Sequence, residues 1–288
     1  MSSVIIRRTP LGFIRCLLPL FLFLCWCAPI NAQEKPPLLL AVVPQLPVLT
    51  THKAWAPFTE RLEKETGLHI KLALYTTQPE FESAVLAGKP DLAFMNPYHQ
   101  VMAKKAQAYV PLVRSSAESL YGIVVVAENG PIKNLKDLEG KEIAFPSPNA
   151  YAASLYIRAL LTEQFGLKFK PRYYESHSDV YRNVILGVAP AGGAVNSTFS
   201  RESDNLRSQL RILYKTPPSA MHPLSAHPRV TAQQQQAIQA AILRLDADPS
   251  AKELLHGVQL GQAVIADYVK DYQVLEKLGL EKYVVPAP

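Results

Sequence analysis

The sequence has 288 residues, a formal net charge of +6 at pH 7 and only three cysteines. Cys16, Cys25 and Cys27 all lie in the first 32 residues, together with three arginines and no acidic residue. If that segment is removed, the rest of the chain has no cysteine and a formal charge of +3. Such a chain excludes disulfide and thiol chemistry, requires a large apolar core, and lacks the charge of a nucleic-acid-binding protein.

Residues 1–32 have the pattern of an export signal. Arg7, Arg8 and Arg15 precede the apolar run 16–30, and Ala32 is a small residue suited to cleavage. The run is too short, and too close to the start, to predict a permanent membrane span. We therefore expect a signal peptide cleaved near Ala32 and a mature protein in the periplasm.

Strands and helices are predicted to alternate after residue 37. Trp55, Phe58 and Leu62 recur at helical spacing, and Gly67 ends that helix. Short apolar runs predict strands at 38–43, 69–75, 91–95 and 109–113, with a second helix at 80–87. This alternation predicts right-handed crossovers and a mostly parallel sheet.

The same pattern begins again in the second half of the chain. The predicted strands are 120–127, 142–145, 171–175, 191–195 and 210–214, and the predicted helices are 151–165, 179–186 and 231–245, followed by helical segments to residue 280. Two α/β units of this size predict two lobes joined by two crossings, near 115–120 and 207–215. We expect lobe one to comprise 33–119 and 210–288, lobe two to comprise 120–209, and the helical tail to pack on lobe one.

Three turns from a strand into a helix are candidate binding sites. Asn96 and Pro97 have the residue types of an N-cap and a first helical position, Ser147 or Asn149 would cap the second helix, and Ser176 or Ser178 the third, beside His177. Helix N-termini leave backbone N–H groups free at the carboxyl edge of a sheet. If the lobes face each other, these donors converge on one cleft and suit a small oxyanion, although a lone histidine after a strand is often only a structural hydrogen-bond partner.

Catalytic and metal sites are not predicted. Ser176, His177 and Asp179 are too close in sequence to form a catalytic triad, and no nucleophile-elbow or zinc-protease motif is present. His222, His227 and His256 lack the spacing of metal ligands. We therefore expect no enzyme activity, no metal and no cofactor.

Four motifs in order resemble the periplasmic phosphate/phosphite/phosphonate-binding proteins of ABC importers, which have the type II two-lobed fold. These motifs are Trp55-Ala-Pro-Phe58, Gly88-Lys-Pro-Asp-Leu-Ala-Phe94 followed by Asn96-Pro97, Gly130-Pro-Ile-Lys-Asn-Leu-Lys-Asp-Leu-Glu-Gly-Lys141, and Ser176-His177. The resemblance covers residues 38–245 and implies an α/β protein whose two lobes each contain a mostly parallel sheet flanked by helices.

The pocket residues depart from the family. The Ser-Thr-Ser that holds phosphonate oxygens in the family falls on Ala150, Tyr151 and Ala152. The acid that holds a ligand amine falls on Pro190 or Ala191, and a pocket tyrosine falls on Thr77 or Gln78. Backbone N–H groups at Ala150–Ala152 still suit an anion without these side chains.

The resemblance implies a solute-binding protein that captures a small oxyanion between its lobes and delivers it to a membrane permease. The alternative is a periplasmic sensor that signals to a membrane histidine kinase. We expect a monomer that does not bind nucleic acid. The expected ligand contacts, contributed by the three turns and by the aromatic residue of the first crossing, are Asn96, Pro97, Tyr98, Tyr121, Asn149, Ala150, Tyr151, Ala152, His177 and Ser178. If the protonated ring of His177 binds the ligand, affinity would fall above the imidazole pKa.

Overall fold

The structure is a computed structural model that describes residues 1–5 and 36–286. The apolar run of the predicted signal peptide and its cleavage site at Ala32 lie outside the described residues. Within the described part, no helix combines the length and the apolar character needed to cross a membrane.

Eleven strands form two sheets in residues 36–286. In chain order they are β1 (Leu38–Val42), β2 (Ile70–Leu74), β3 (Leu92–Phe94), β4 (Val110–Ser115), β5 (Gly122–Ala127), β6 (Glu142–Phe145), β7 (Lys170–Tyr173), β8 (Ala191–Val195), β9 (Leu210–Lys215), β10 (Pro223–Ala226) and β11 (Ala263–Ile265). The first sheet has the order β11-β4-β10-β3-β1-β2, and the second has the order β7-β6-β8-β5-β9.

Helices cover the faces of both sheets. They are α1 (Val48–Thr66), α2 (Gln78–Leu86), α3 (Pro97–Gln107), α4 (Tyr156–Glu163), α5 (His177–Ile185), α6 (Asn196–Phe199), α7 (Asp204–Arg207), α8 (Ala232–Ala247) and α9 (Lys252–Gly257). A π-type turn at Tyr151–Leu155 leads directly into α4, so the predicted helix 151–165 begins irregularly. The chain is thus an α/β protein with two lobes, as predicted.

The sequence signals for α1 and α3 are confirmed. Trp55, Phe58 and Leu62 are buried on one face of α1, and Gly67 ends that helix in the left-handed conformation at φ 67°. Asn96 caps α3 by accepting a hydrogen bond from the His99 N–H at 2.7 Å, and Pro97 is the first helical residue. These local features place the start of α3 directly after β3.

Both sheets are mixed rather than mostly parallel. The strand β1 pairs in parallel with β2 and β3, but β10 is antiparallel to β3 and β4, and β11 is antiparallel to β4. In the second sheet β5 is antiparallel to β8 and β9. The prediction of mostly parallel sheets was wrong because only a βαβ crossover requires its two strands to be parallel. A strand that reaches the sheet from the other lobe, or through a long connection, can pair in either direction.

The second crossing lies later in the chain than predicted. The strand β9 pairs with β5 in the second sheet, so the chain returns to the first sheet through residues 216–222 instead of 207–215. Leu120 and Ser219 exchange two backbone hydrogen bonds of 2.9 and 2.8 Å, which join the two crossing segments. This pair lies where the chain passes between the sheets.

The C-terminal tail packs on lobe one and then reaches lobe two. The helix α8 contacts α1 and β4, as predicted for the tail. Further along, the Tyr283 carbonyl accepts a hydrogen bond of 2.8 Å from Arg158 Nη2 on α4, and the Tyr283 hydroxyl donates to Glu163 at 2.8 Å. The last described turn of the tail therefore spans both lobes.

Two glycines allow the π-type turn to lie directly on the second sheet. A Cβ atom at Gly122 would lie 2.0 Å from the Ala152 carbonyl oxygen, and one at Gly193 would lie 2.2 Å from the Ala153 carbonyl oxygen. Backbone atoms cannot move away as a flexible side chain can. Glycine is therefore required at both positions to seat the turn.

We predict that Gly193→Ala destabilises the protein by about 1–3 kcal/mol, the usual cost of overpacking a core. Gly257→Ala is the matched control, because a Cβ there meets nothing within 4 Å. Urea unfolding of both variants measures the difference. Equal unfolding free energies for the two variants would show that the turn does not depend on close contact with Gly193.

Candidate functional site

A small cavity of about 20 Å³ lies between the two sheets. Its polar side chains are Gln45, Gln78, Asn96, His177 and His222, and the backbone of residues 150–153 forms another wall. Gln45 follows β1, Gln78 begins α2, and His177 begins α5. The cavity is therefore built from strand-to-helix turns of both lobes, with His222 added by the second crossing.

Four helical N-termini meet at this cavity. Asn96 and Ser176 cap α3 and α5 through their side chains, Thr77 caps α2, and the π-type turn begins after Ala150. The first N–H groups of a helix have no partner within the helix, and the helix dipole adds partial positive charge there. The arrangement favours an anion without any cationic side chain.

Two buried histidines provide the imidazole donors of the cavity. The Gln259 amide donates to Gln45 Oε1 at 2.8 Å, and the Gln45 amide donates to His222 Nε2 at 2.8 Å. This chain of bonds places the His222 proton on Nδ1, and that atom has no hydrogen-bond partner among the described residues. His177 Nδ1 is also buried and unpartnered, so two ring nitrogens remain available to a ligand.

Burial keeps both imidazoles neutral. It lowers the pKa of His177 to about 3, and burial together with the neighbouring rings of His177 and His99 lowers the pKa of His222 to about 3. The hypothesis that a protonated His177 binds the ligand is therefore not supported at neutral pH. A neutral imidazole donates one N–H without carrying charge.

Five of the ten predicted site residues line the cavity. They are Asn96, Ala150, Tyr151, Ala152 and His177. The three predicted turns are thus brought together, and each contributes at least one residue. The ligand contacts themselves stay a prediction.

The other predicted residues have different neighbours. Ser178 donates to Glu202 at 2.6 Å, and the ring of Tyr121 lies 5.4 Å from the Lys215 ammonium. The ring of Tyr98 stacks on that of Tyr151, with centroids 6.4 Å apart. Pro97 follows Asn96 without lining the cavity.

Asn149 connects the lobes instead of lining the cavity. Its amide donates to the Glu82 carboxylate at 2.9 Å and to the Val285 carbonyl at 2.7 Å. Its own carbonyl accepts from the Asn96 amide at 3.3 Å. Asn149 therefore holds its turn against α2, α3 and the C-terminal tail.

Gln45, Gln78 and His222 were not predicted as site residues. The resemblance to the family placed a pocket tyrosine at Thr77 or Gln78, which was a usable signal for this position. Gln45 has only its position after a strand, and His222 precedes the short strand β10, which the sequence pattern did not reveal. Long-range pairing of β10 with β3 brings His222 to the cavity.

No aspartate or glutamate of the described residues lines the small cavity. The nearby acid Glu82 is already bonded to His99 and Asn149. Within residues 1–5 and 36–286, no group of three or more His, Cys, Asp or Glu side chains is arranged to hold a metal ion.

We predict that acid destabilises the protein through the two buried histidines. An imidazole in the unfolded chain binds a proton near pH 6.5, whereas each folded ring resists protonation down to about pH 3. The stability is complete above pH 6.5 and is lost as the pH falls, by up to about 1.4 kcal/mol per pH unit for each histidine. Urea unfolding at several pH values between 7 and 4 gives the change in unfolding free energy per pH unit. We expect this slope to be smaller in His222→Gln than in the wild type, by up to about 1.4 kcal/mol per pH unit.

His52→Gln is the control for this measurement, because His52 is exposed on α1. Its unfolding free energy should follow the wild-type pH dependence. A wild-type slope in His222→Gln would contradict the burial of a neutral imidazole at this position.

Comparison with known proteins agrees with this architecture. The model of a family described as "ABC transporter, phosphonate, periplasmic substrate-binding protein" matches residues 40–272. The phosphate-import protein PhnD of Mycolicibacterium smegmatis is 24% identical over 199 residues, which are 62% of this chain and 62% of that protein. The chain thus matches less than two thirds of the length of this curated relative.

Solved structures share the fold at low identity. A binding protein component of an ABC phosphonate transporter from Pseudomonas aeruginosa superposes with a TM-score of 0.77 at 14% identity, covering 85% of this chain and 86% of that one. PhnD1 from Prochlorococcus marinus, solved with methylphosphonate, has a TM-score of 0.76 at 18% identity, covering 86% of this chain and 98% of that one. Since the family model matches most of its length, this chain belongs to the family of periplasmic substrate-binding proteins of phosphonate ABC transporters.

Proposed function

We propose that the protein is the solute-binding component of an ABC importer and captures a small oxyanion of the phosphate, phosphite or phosphonate type. The observation that carries this proposal is the meeting of four helical N-termini around a cavity with no acidic side chain, in the described residues of a chain of this family. Backbone N–H groups and two neutral imidazoles can donate to an anion without a neutralising cation.

Capture requires the lobes to separate and close. A cavity of about 20 Å³ is close to the size of one water molecule, which needs roughly 10–15 Å³. A tetrahedral oxyanion is larger and cannot enter the closed arrangement from solvent. Residues 116–121 and 216–222 connect the sheets and are the natural positions for a hinge motion. On this basis we propose lobes of residues 36–119 with 216–286 and of residues 120–215.

A ligand with an ammonium group next to the phosphorus is disfavoured. The family acid that would neutralise it is absent from positions 190 and 191, and the described cavity wall provides no other carboxylate. A buried ammonium without a partner costs several kcal/mol. Short aminoalkyl-phosphonates should therefore bind poorly.

The partner that fits best is the permease of an ABC importer, because the matched family consists of importer components. No observation in the described residues favours docking on a sensor kinase. The proposal includes cleavage of a signal peptide near Ala32 and a monomeric mature protein.

We predict that His177→Ala weakens oxyanion binding by about 1.5–3 kcal/mol, the usual loss when a hydrogen bond to a charged group is removed. Isothermal titration calorimetry with phosphate, phosphite, arsenite, sulfate, methylphosphonate and 2-aminoethylphosphonate measures the loss. His52→Ala is the matched control, because it removes an exposed imidazole from α1. Unchanged affinity in His177→Ala, or tight binding of 2-aminoethylphosphonate, would overturn the proposed pocket chemistry.

We also predict that ligand binding compacts the protein. Small-angle scattering should show a smaller radius of gyration at saturating ligand than without ligand, because the lobes close around the anion. An unchanged radius at saturation would instead favour a rigid molecule whose cleft is already closed.

A further inference from the structure

A second, larger cavity continues along the same loops that build the oxyanion site. It has a volume of about 730 Å³, and its walls include residues 77–78, 146–148 and 173–175. The small cavity uses the neighbouring residues 78, 150–153 and 177. Gln78 lines both cavities, so the two spaces adjoin at this residue.

The walls of the larger cavity are mainly apolar and aromatic. Three tyrosines and three prolines contribute to them, namely Tyr75, Tyr173, Tyr174, Pro79, Pro146 and Pro148. The volume lies within the usual range of about 300–1,000 Å³ for small-molecule sites, which are lined in the same manner. A phosphate ion needs no such space, whereas an organic group does.

Unpartnered polar atoms and the local charges restrict the chemistry of the occupant. The buried Tyr174 hydroxyl and the buried Gln78 Oε1 have no partner among the described residues. Glu80 and Glu175 line the cavity against a single Lys89. A second anionic group on the ligand would therefore meet an excess of negative charge. Glu80 and Glu175 are exposed, so water screens their attraction for an ammonium group, and the apolar and aromatic walls suit an uncharged substituent.

We propose that the larger cavity binds the organic substituent of an organophosphonate and that this substituent is an uncharged aromatic ring. The inference rests on the proposed function, since the phosphonate group would occupy the small cavity. The ring would pass Gln78 and pack between Pro79 of α2 and the tyrosines that end β7. Aromatic contacts of this kind favour a ring over a methyl group of the same charge.

The experiment compares benzylphosphonate with methylphosphonate by isothermal titration calorimetry. The wild-type protein should bind benzylphosphonate at least tenfold more tightly than methylphosphonate. Ser83 is exposed on α2 and lines the larger cavity, so Ser83→Trp should fill the space without changing the core. This variant should remove the tenfold preference while changing the Kd for methylphosphonate less than twofold.

Two controls isolate the effect of filling the cavity. Ser83→Ala leaves the space open and should keep the preference. Gln233→Trp adds the same ring at an exposed position of α8, away from the cavity, and should also keep it.

The results distinguish a failure of this inference alone from a failure of the proposed function. Binding of methylphosphonate and phosphate without a preference for benzylphosphonate would overturn the inference alone. A preference that survives in Ser83→Trp would likewise place the ring elsewhere. If the wild-type protein binds none of the three ligands, the proposed function fails and the inference fails with it.

Discussion

The buried carboxylate of Glu82 is the constraint on which the closed arrangement of the lobes depends. Glu82 is only 3% exposed, and its carboxylate accepts hydrogen bonds from His99 at 3.0 Å and from Asn149 at 2.9 Å. A buried charge is costly unless its hydrogen bonds are made. Glu82 and His99 belong to the first sheet's helices, whereas Asn149 belongs to the turn of the other lobe. The two lobes must therefore meet for this carboxylate to be satisfied inside the protein.

The position of the proposed oxyanion site follows from this contact. Asn149 immediately precedes the wall at residues 150–153, and Gly122 and Gly193 let that wall rest on the second sheet. The same contact therefore places four helical N-termini around one space. Because charge recognition comes from the backbone, the loss of the family's Ser-Thr-Ser at Ala150–Ala152 does not remove the capacity to bind an anion. Without those hydroxyl groups, the side chains of the site distinguish ligands mainly by the substituent that the anion carries.

Much of this architecture could be predicted from the sequence. The turns at Asn96, Ala150 and His177 were found because strand and helix-cap patterns are local, and the order of motifs identified the fold. His222 and the mixed first sheet were missed, because they depend on β10 and β11, strands of four and three residues whose pairing is long-range. The late second crossing was missed because the predicted strand at 210–214 was placed in lobe one, whereas β9 pairs with β5 in the second sheet. The neutral state of His177 also could not be predicted, since it follows from burial between lobes. Asn149 was assigned to the ligand because its residue type fits a helix cap, but Glu82 and Val285 bind its side chain.

The most direct test is the change in the chemical shifts of the backbone amides when methylphosphonate is added to the protein. Helix N-termini that donate to an anion should give the largest shifts in ¹H–¹⁵N spectra at Tyr98, at residues 151–153 and at His177 and Ser178. Amides in the core of either sheet, such as Val124, should change little. Large shifts confined to other regions, with these amides unmoved, would contradict the claim that helical N-termini between the lobes bind the ligand.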